Sequence, residues 1–386
     1  MRFAFLPKIL FFISLFLFQT SYSQKKIKTP ERYPEFSWKT VPVAFHFGKK
    51  GGMMTKKERK FVTSHSKFIV LEKAHGRPFI KDSEIAIRKE AKRIKKICPQ
   101  AKVIFYWNAF LDYPLYKAHR EFNKHPNWWL RTKTGKLDLK LDKFKRYDLT
   151  NPEFRDWWTN IAKAETAGDN SDGVFMDAFN QVITPVNKRK WGIDKYNEMQ
   201  VGLKNLVAET RKKIGDDKLI VYNGIRSIQG RNVGNGFPEH TDAVMIEHFG
   251  MFRSTSKESM LTDIQEMEKA GKSGKIVAFK AWPNHTFLDK DFMKKSLKKK
   301  RAISKQNLLF PLASFLAGAQ ENSYLIYNWG YYLSEGSLEW YPEFDKPLGK
   351  PLNEMQVNGW VLTRKYKYAD VWVDLETRKA KIDWKK

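Results

Sequence analysis

Short apolar runs alternate along this chain with longer amphipathic stretches. Eight apolar runs fall at 41–47, 68–71, 103–107, 173–176, 219–222, 243–246, 276–279 and 323–327. Each has the length of a buried strand. Helical patterns lie between them. Asp82 is placed to cap a helix that runs to Ile97, with apolar positions at Ile85, Ile87, Ala91 and Ile94. Asn151 is placed to cap the next, with Pro152 in its first position and Glu153 in its first turn. The stretches 196–214 and 257–270 read the same way, and 302–319 reads as a single, more apolar helix. Strand–helix alternation predicts a parallel sheet. Eight such units predict an α/β fold, the (β/α)8 barrel. Its right-handed crossovers bring all eight strand tips to one mouth.

The predicted tips carry polar or aromatic groups. In chain order they present His46, then Glu72, Lys73 and His75, then Trp107 and Asn108, and then Asp177. Asn223 and Arg226 follow, then Glu247 and His248, Lys280 and Trp282, and Trp329. The sharpest segment is Asp172-Gly-Val-Phe-Met-Asp177, a short strand with a carboxylate at its tip, preceded by the helix start at 148–158.

Cleaving a glycosidic bond takes two carboxyl groups flanking it. Asp177 and Glu247 stand on the fourth and sixth tips, across the mouth from each other. Burial against apolar strands is expected to raise Glu247 toward an acid's range, while Lys73, Arg226 or Lys280 keeps Asp177 ionised. Glu72 is a reserve carboxylate, or simply the partner of Lys73. Trp107, Trp282 and Trp329 are candidates to stack on sugar faces, with core packing as the alternative. His46, His75 and His248 are read as hydrogen-bond donors to a ligand. Three imidazoles beside Asp177 would also suit zinc in a metal-dependent hydrolase, although no HxH or HExxH spacing supports a metal. Phosphate-loop and nucleophile-elbow patterns are missing from the sequence, and it calls for no cofactor.

Two long segments are expected to overhang the mouth. One is 112–145, with a hairpin turn at Thr134-Gly135, and the other is 183–195. From 334 onward, strand-like alternation at 369–375 and 380–384 predicts a small β appendage. The expected division is a signal peptide at 1–23, a leader at 24–40, the barrel at 41–333 and the appendage at 334–386.

Composition then bears on partners and location. Arg2 and Lys8 precede an apolar stretch at 9–18, and small residues at 21–23 suit a cut before Gln24. The stretch is short for a membrane span, and no later one qualifies. The expectation is a bacterial protein, secreted or periplasmic, that is not membrane-inserted after cleavage. The chain has one Cys, Cys98, so no internal disulfide can form. Its formal net charge is +29. Removing Arg2 and Lys8 with the signal leaves +27. Such a field attracts polyanions. For an exported protein without a base-reading motif, an anionic polysaccharide fits better than nucleic acid. The Lys-rich run at 294–301 reads as outer surface.

Together, 148–158, the strand 172–177 and the preceding His125-Pro-Asn-Trp-Trp-Leu130 arm resemble barrel glycoside hydrolases acting on α-linked sugars. The resemblance is to a loosely characterised group distantly related to α-amylases, α-galactosidases and endo-α-polygalactosaminidases, and it spans about 41–328. By position it implies Asp177 as nucleophile and Glu247 as acid/base in a retaining double displacement. The sixth-strand acid is usually Asp in the α-galactosidase-like clan. The α-amylase mechanism transfers poorly, because its fifth-strand acid is Asn223 here. A non-catalytic polysaccharide-binding protein on a degenerate barrel is the other reading.

Overall fold

The computed structural model describes residues 29–225 in full, the backbone of 226–228 and 231–233, and residues 239–385. Each of the eight runs forms a strand: β1 Phe45–Phe47, β2 Phe68–Leu71, β3 Lys102–Asn108, β4 Gly173–Asp177, β5 Leu219–Ile228, β6 Ala243–Phe249, β7 Ile276–Ala281 and β8 Ser323–Tyr327. They pair in parallel in chain order. A bridge between Val43 and Leu325 joins β8 back to β1 and closes the (β/α)8 barrel. In it, the Ala44 N–H donates to the Leu325 carbonyl at 3.0 Å and the Leu325 N–H to that of Pro42 at 2.9 Å. Gly173 opens β4 where β5 comes closest. A Cβ there would stand 2.3 Å from the Leu219 carbonyl oxygen, so the approach admits no side chain.

The helices follow the predicted pattern with two differences. Asn151 caps Pro152–Thr166, accepting from the Glu153 and Phe154 N–H groups at 2.9 and 3.1 Å. Asp82 stands at the cap position of Ser83–Lys95 but does not cap it. Its carboxylate is taken by Arg120, at 3.1 and 3.2 Å. The expected helix at 302–319 is two helices, Leu297–Gln306 and Leu309–Gly318. The physical reason is Pro311, whose ring clashes with the carbonyl four residues back, at Asn307. The second of these helices is buried along nearly its whole length, which explains its apolar sequence.

A four-stranded antiparallel sheet follows, from Gln356–Asn358 through Val361–Lys365 and Ala369–Asp374 to Lys379–Trp384. It covers Leu309–Gly318, with the Tyr366 hydroxyl donating to the Leu316 carbonyl at 2.7 Å and Arg364 to that of Ala319. The Lys-rich run at 294–301 is exposed, and Cys98 is a buried free thiol. No helix among the described residues is long and apolar enough to cross a membrane.

The segment after β3 turns at Thr132–Gly135, flanked by an antiparallel bridge from Arg131 to Leu137. A second hairpin, Leu139–Lys140 against Phe144–Lys145, is not foreseen in the sequence pattern. The segment after β4 holds two short helices, Phe179–Ile183 and Asn187–Trp191. Buried Asp138 ties the two segments together. It accepts from Arg146 at 2.9 Å, from the Trp191 indole at 2.6 Å, and from Lys190.

Candidate active site

The tips of β1 to β6 enclose a cavity of about 190 Å³ with Tyr113 and Lys140 of the segment 112–145, Asn180 and Gln181 of the helix after β4, and Tyr331 after β8; no residue of 183–195 lines it. Asp177 ends β4, and four donors fix its carboxylate. Oδ1 accepts from the Ala178 N–H at 2.7 Å and the Asn223 amide at 2.9 Å. Oδ2 accepts from the Tyr106 hydroxyl and, at 3.2 Å, from the Asn108 amide. Asn108 cannot turn over, because its own Oδ1 accepts the Phe110 and Leu111 N–H groups at 2.9 and 2.7 Å.

Asn223, on β5, spans the two carboxylates. Its Nδ2 donates to Asp177 Oδ1 and to Glu247 Oε2, each at 2.9 Å. Those two oxygens are therefore at most about 5.8 Å apart, which is short of the ~6.5–9.5 Å of an inverting carboxylate pair and compatible with the ~5–5.5 Å of a retaining one.

Glu247 also accepts from the Tyr331 hydroxyl, and the Nε2 of His248 lies 3.1 Å from its Oε2. Burial raises this carboxyl, but the His248 charge and the three donors outweigh it and hold Glu247 well below the usual carboxylate range. That corrects the expected direction: apolar strands do surround Glu247, yet each hydrogen-bond partner of its oxygens favours the anion. His248 itself adopts φ 75°, a left-handed conformation costly for a side-chain-bearing residue.

A third carboxylate, Glu72, lines the same cavity. Burial raises it, but Lys73 at 2.9 Å and His46, whose Nε2 is 2.9 Å from Oε1 and out of line for a hydrogen bond, bring it down to about 2. Lys73 is pushed down by burial, but Glu72, Tyr113 and Asp177 together hold it above the usual ammonium range, so this pair is ionised. Lys73 also lies over the Tyr106 and Tyr113 rings, at 4.4 and 5.3 Å. His46 Nδ1, His248 Nδ1 and Asn223 Oδ1 are buried without a hydrogen-bond partner among the described residues.

Of the residues singled out in the sequence, Asp177, Glu247, His46, Lys73, Asn223 and His248 line the cavity. Asn108 stands behind Asp177 as a positioning group. The others lie elsewhere. His75 is fully buried between Glu90, at 3.0 Å, and the Lys49 N–H, at 3.2 Å. No three metal-ligating groups converge among the described residues. Trp107 faces outward from β3, stacked on Trp158 of the adjoining helix and donating to its carbonyl at 3.3 Å. Trp329 is buried against Gly336 and Phe292. Trp282 stacks on His248 at 5.8 Å and lines a neighbouring groove. Lys280 is buried, bonds Asn328 and lies 4.1 and 4.7 Å from the Trp282 and Tyr331 rings. Burial pushes it down to about 7. The Arg226 side chain falls outside the described residues.

The rings in the cavity wall are Tyr106, Tyr113, Phe175 and Tyr331 rather than tryptophans, and Lys140, Asn180 and Gln181 join them. Strand alternation could have found Tyr106. Residues two apart share a face, so Tyr106 goes with Asn108, and Trp107 points the other way.

The sequence model described as hypothetical glycosyl hydrolase family 15 matches residues 95–370, more than half of the chain. No curated protein matches. Solved structures with a similar course include a GH31 family sulfoquinovosidase from E. rectale, at 17% identity over 64% of this chain and 39% of that one, TM-score 0.43. The chain thus spans 39% of that protein's length. Two others are the maltogenic α-amylase AmyB from Thermotoga neapolitana (12% identity, 87% and 86% covered, TM-score 0.47) and the α-amylase from Geobacillus thermoleovorans (10%, 88% and 87%, 0.48).

Proposed function

This chain belongs to hypothetical glycosyl hydrolase family 15, and we propose that it is a retaining glycoside hydrolase with Asp177 as nucleophile and Glu247 as acid/base. The observation that carries the reading is the Asn223 amide, bonded to both carboxylates at 2.9 Å. Asp177 attacks the anomeric carbon as the glycosidic bond breaks, and Glu247 delivers a proton to the departing oxygen. The glycosyl–Asp177 ester is then hydrolysed by a water that gives its proton to Glu247. Two inversions at one carbon leave its configuration unchanged. Since Glu247 is held well below the usual carboxylate range in the unliganded site, the first proton has to reach it from solvent on substrate binding. The Tyr106 and Tyr331 hydroxyls fix the two carboxylates in place.

The substrate in this reading is an anionic polysaccharide, sulfated or uronate-bearing, met outside the cytoplasm. The +29 formal charge and the signal-like residues 1–23 support it. Expressed with its own N-terminus in a bacterial host, the protein is expected outside the cytoplasm, starting at Gln24. It is expected to release reducing ends from charged glycans faster than from neutral ones. Retention in the cytoplasm contradicts export, and equal release from neutral glycans contradicts the substrate class.

A further inference from the structure

Among the described residues two lysines line the cavity, Lys73, which Glu72 pairs, and Lys140. Lys140 reaches it from the Leu139–Lys140 arm of the unforeseen hairpin. It forms no ion pair and donates no side-chain hydrogen bond among the described residues. Its neighbours are already matched: Lys73 by Glu72 at 2.9 Å, and Arg146 by Asp138 at 2.9 Å. The residues outside the described set contain no Asp or Glu, so none of their side chains supplies a carboxylate. Burial pushes Lys140 down. Asp177 and Glu247 hold it up, while Arg146 and Lys73 push the other way.

Lys140 is half-buried and makes no contact ion pair; Asp177 and Glu247 act on it only at longer range, so an incoming anion can become its direct partner. The converse holds for the sugar. A negatively charged ring placed beside Asp177 and Glu247 meets two carboxylates that no Lys or Arg pairs among the described residues, and repulsion in a partly dry cavity excludes it unless a cation is present to receive its charge. Lys140 is that cation, and it shares one small cavity with the nucleophile. We infer that Lys140 binds an anionic oxygen substituent, a sulfate ester or a carboxylate, on the sugar ring whose own bond is cleaved. The +29 charge draws the polymer in, and Lys140 selects the ring. This rests on the glycosidase reading for where the reacting ring sits, but its binding chemistry stands independently of turnover.

The test is calorimetric binding of glucose, galactose and mannose, each in neutral, 6-sulfated and 6-carboxylated (uronic acid) form, to the full chain and to Lys140→Met and Lys140→Arg. The wild type is expected to bind a charged member more tightly than its neutral parent. Lys140→Met is expected to lose on the order of 10- to 100-fold for that member and nothing for the neutral parent, with Lys140→Arg recovering part of the loss. Whether the sulfated or the carboxylated form responds identifies the source of the charge. Equal affinity for charged and neutral forms, or the same loss for both in Lys140→Met at unchanged thermal stability, overturns the inference. Lys140-dependent binding without cleavage of any glycoside leaves it standing and defeats the catalytic reading. Cleavage of charged and neutral glycosides that is indifferent to Lys140→Met does the reverse.

Discussion

Asp177→Asn is expected to lower turnover by on the order of 10,000-fold or more, because an amide cannot form the glycosyl ester and no other path through the site avoids that step. The fold is expected to survive. The Asn side chain has nearly the shape of Asp, and its carbonyl can still accept from the Ala178 N–H and the Asn223 amide. Its NH₂ then faces Tyr106 and Asn108. The Tyr106 hydroxyl can rotate to accept, but Asn108 is locked by the Phe110 and Leu111 N–H groups and is left facing a donor. That mismatch costs about 1–3 kcal/mol, a small fall in melting temperature for a chain this size. Steady-state rates with circular dichroism and thermal melting check both halves. Turnover near wild type in a folded Asp177→Asn variant is incompatible with the mechanism.

Glu247→Ala carries the second large effect, and it separates the two carboxylates. With a poor leaving group, the missing proton slows the first step by about 100- to 10,000-fold. With a good leaving group such as a dinitrophenolate, that step is largely spared, and the glycosyl–Asp177 ester accumulates for want of a base. Azide needs no base and fits the space the carboxyl leaves. It is expected to restore turnover and give a glycosyl azide of retained configuration. An azide product of inverted configuration would mean that Glu247 is the nucleophile and Asp177 the acid/base. This control matters because Glu247 is held below the usual carboxylate range in the unliganded site.

The barrel was legible because its strands are covered on both faces. Apolar runs such as 68–71 and 323–327 coincide with β2 and β8 to the residue. The carboxylates were legible because a strand tip fixes where its last side chain points. Two kinds of information were not. The first is which face of a strand looks inward: Trp107 and Asn108 are adjacent in sequence, yet one packs on a helix and the other holds Asp177. The second is what a long loop brings back. Nothing in the pattern near Lys140 marks it apart from the other lysines of 112–145. Its place depends on the hairpin and on Asp138, which joins Arg146, Lys190 and Trp191 from two segments. The direction of the Glu247 shift was likewise hidden: His248, its strongest lowering influence, is adjacent in sequence but adopts a left-handed φ of 75° that sequence does not reveal, and Tyr331 lies 84 positions away.

The central claim is that two carboxylates joined through Asn223 act in two successive displacements at one carbon. Proton NMR of the first sugar released from a cleaved glycoside, recorded before mutarotation, tests it most directly. Retention of the substrate's anomeric configuration is the predicted result, and an initially inverted product contradicts the account.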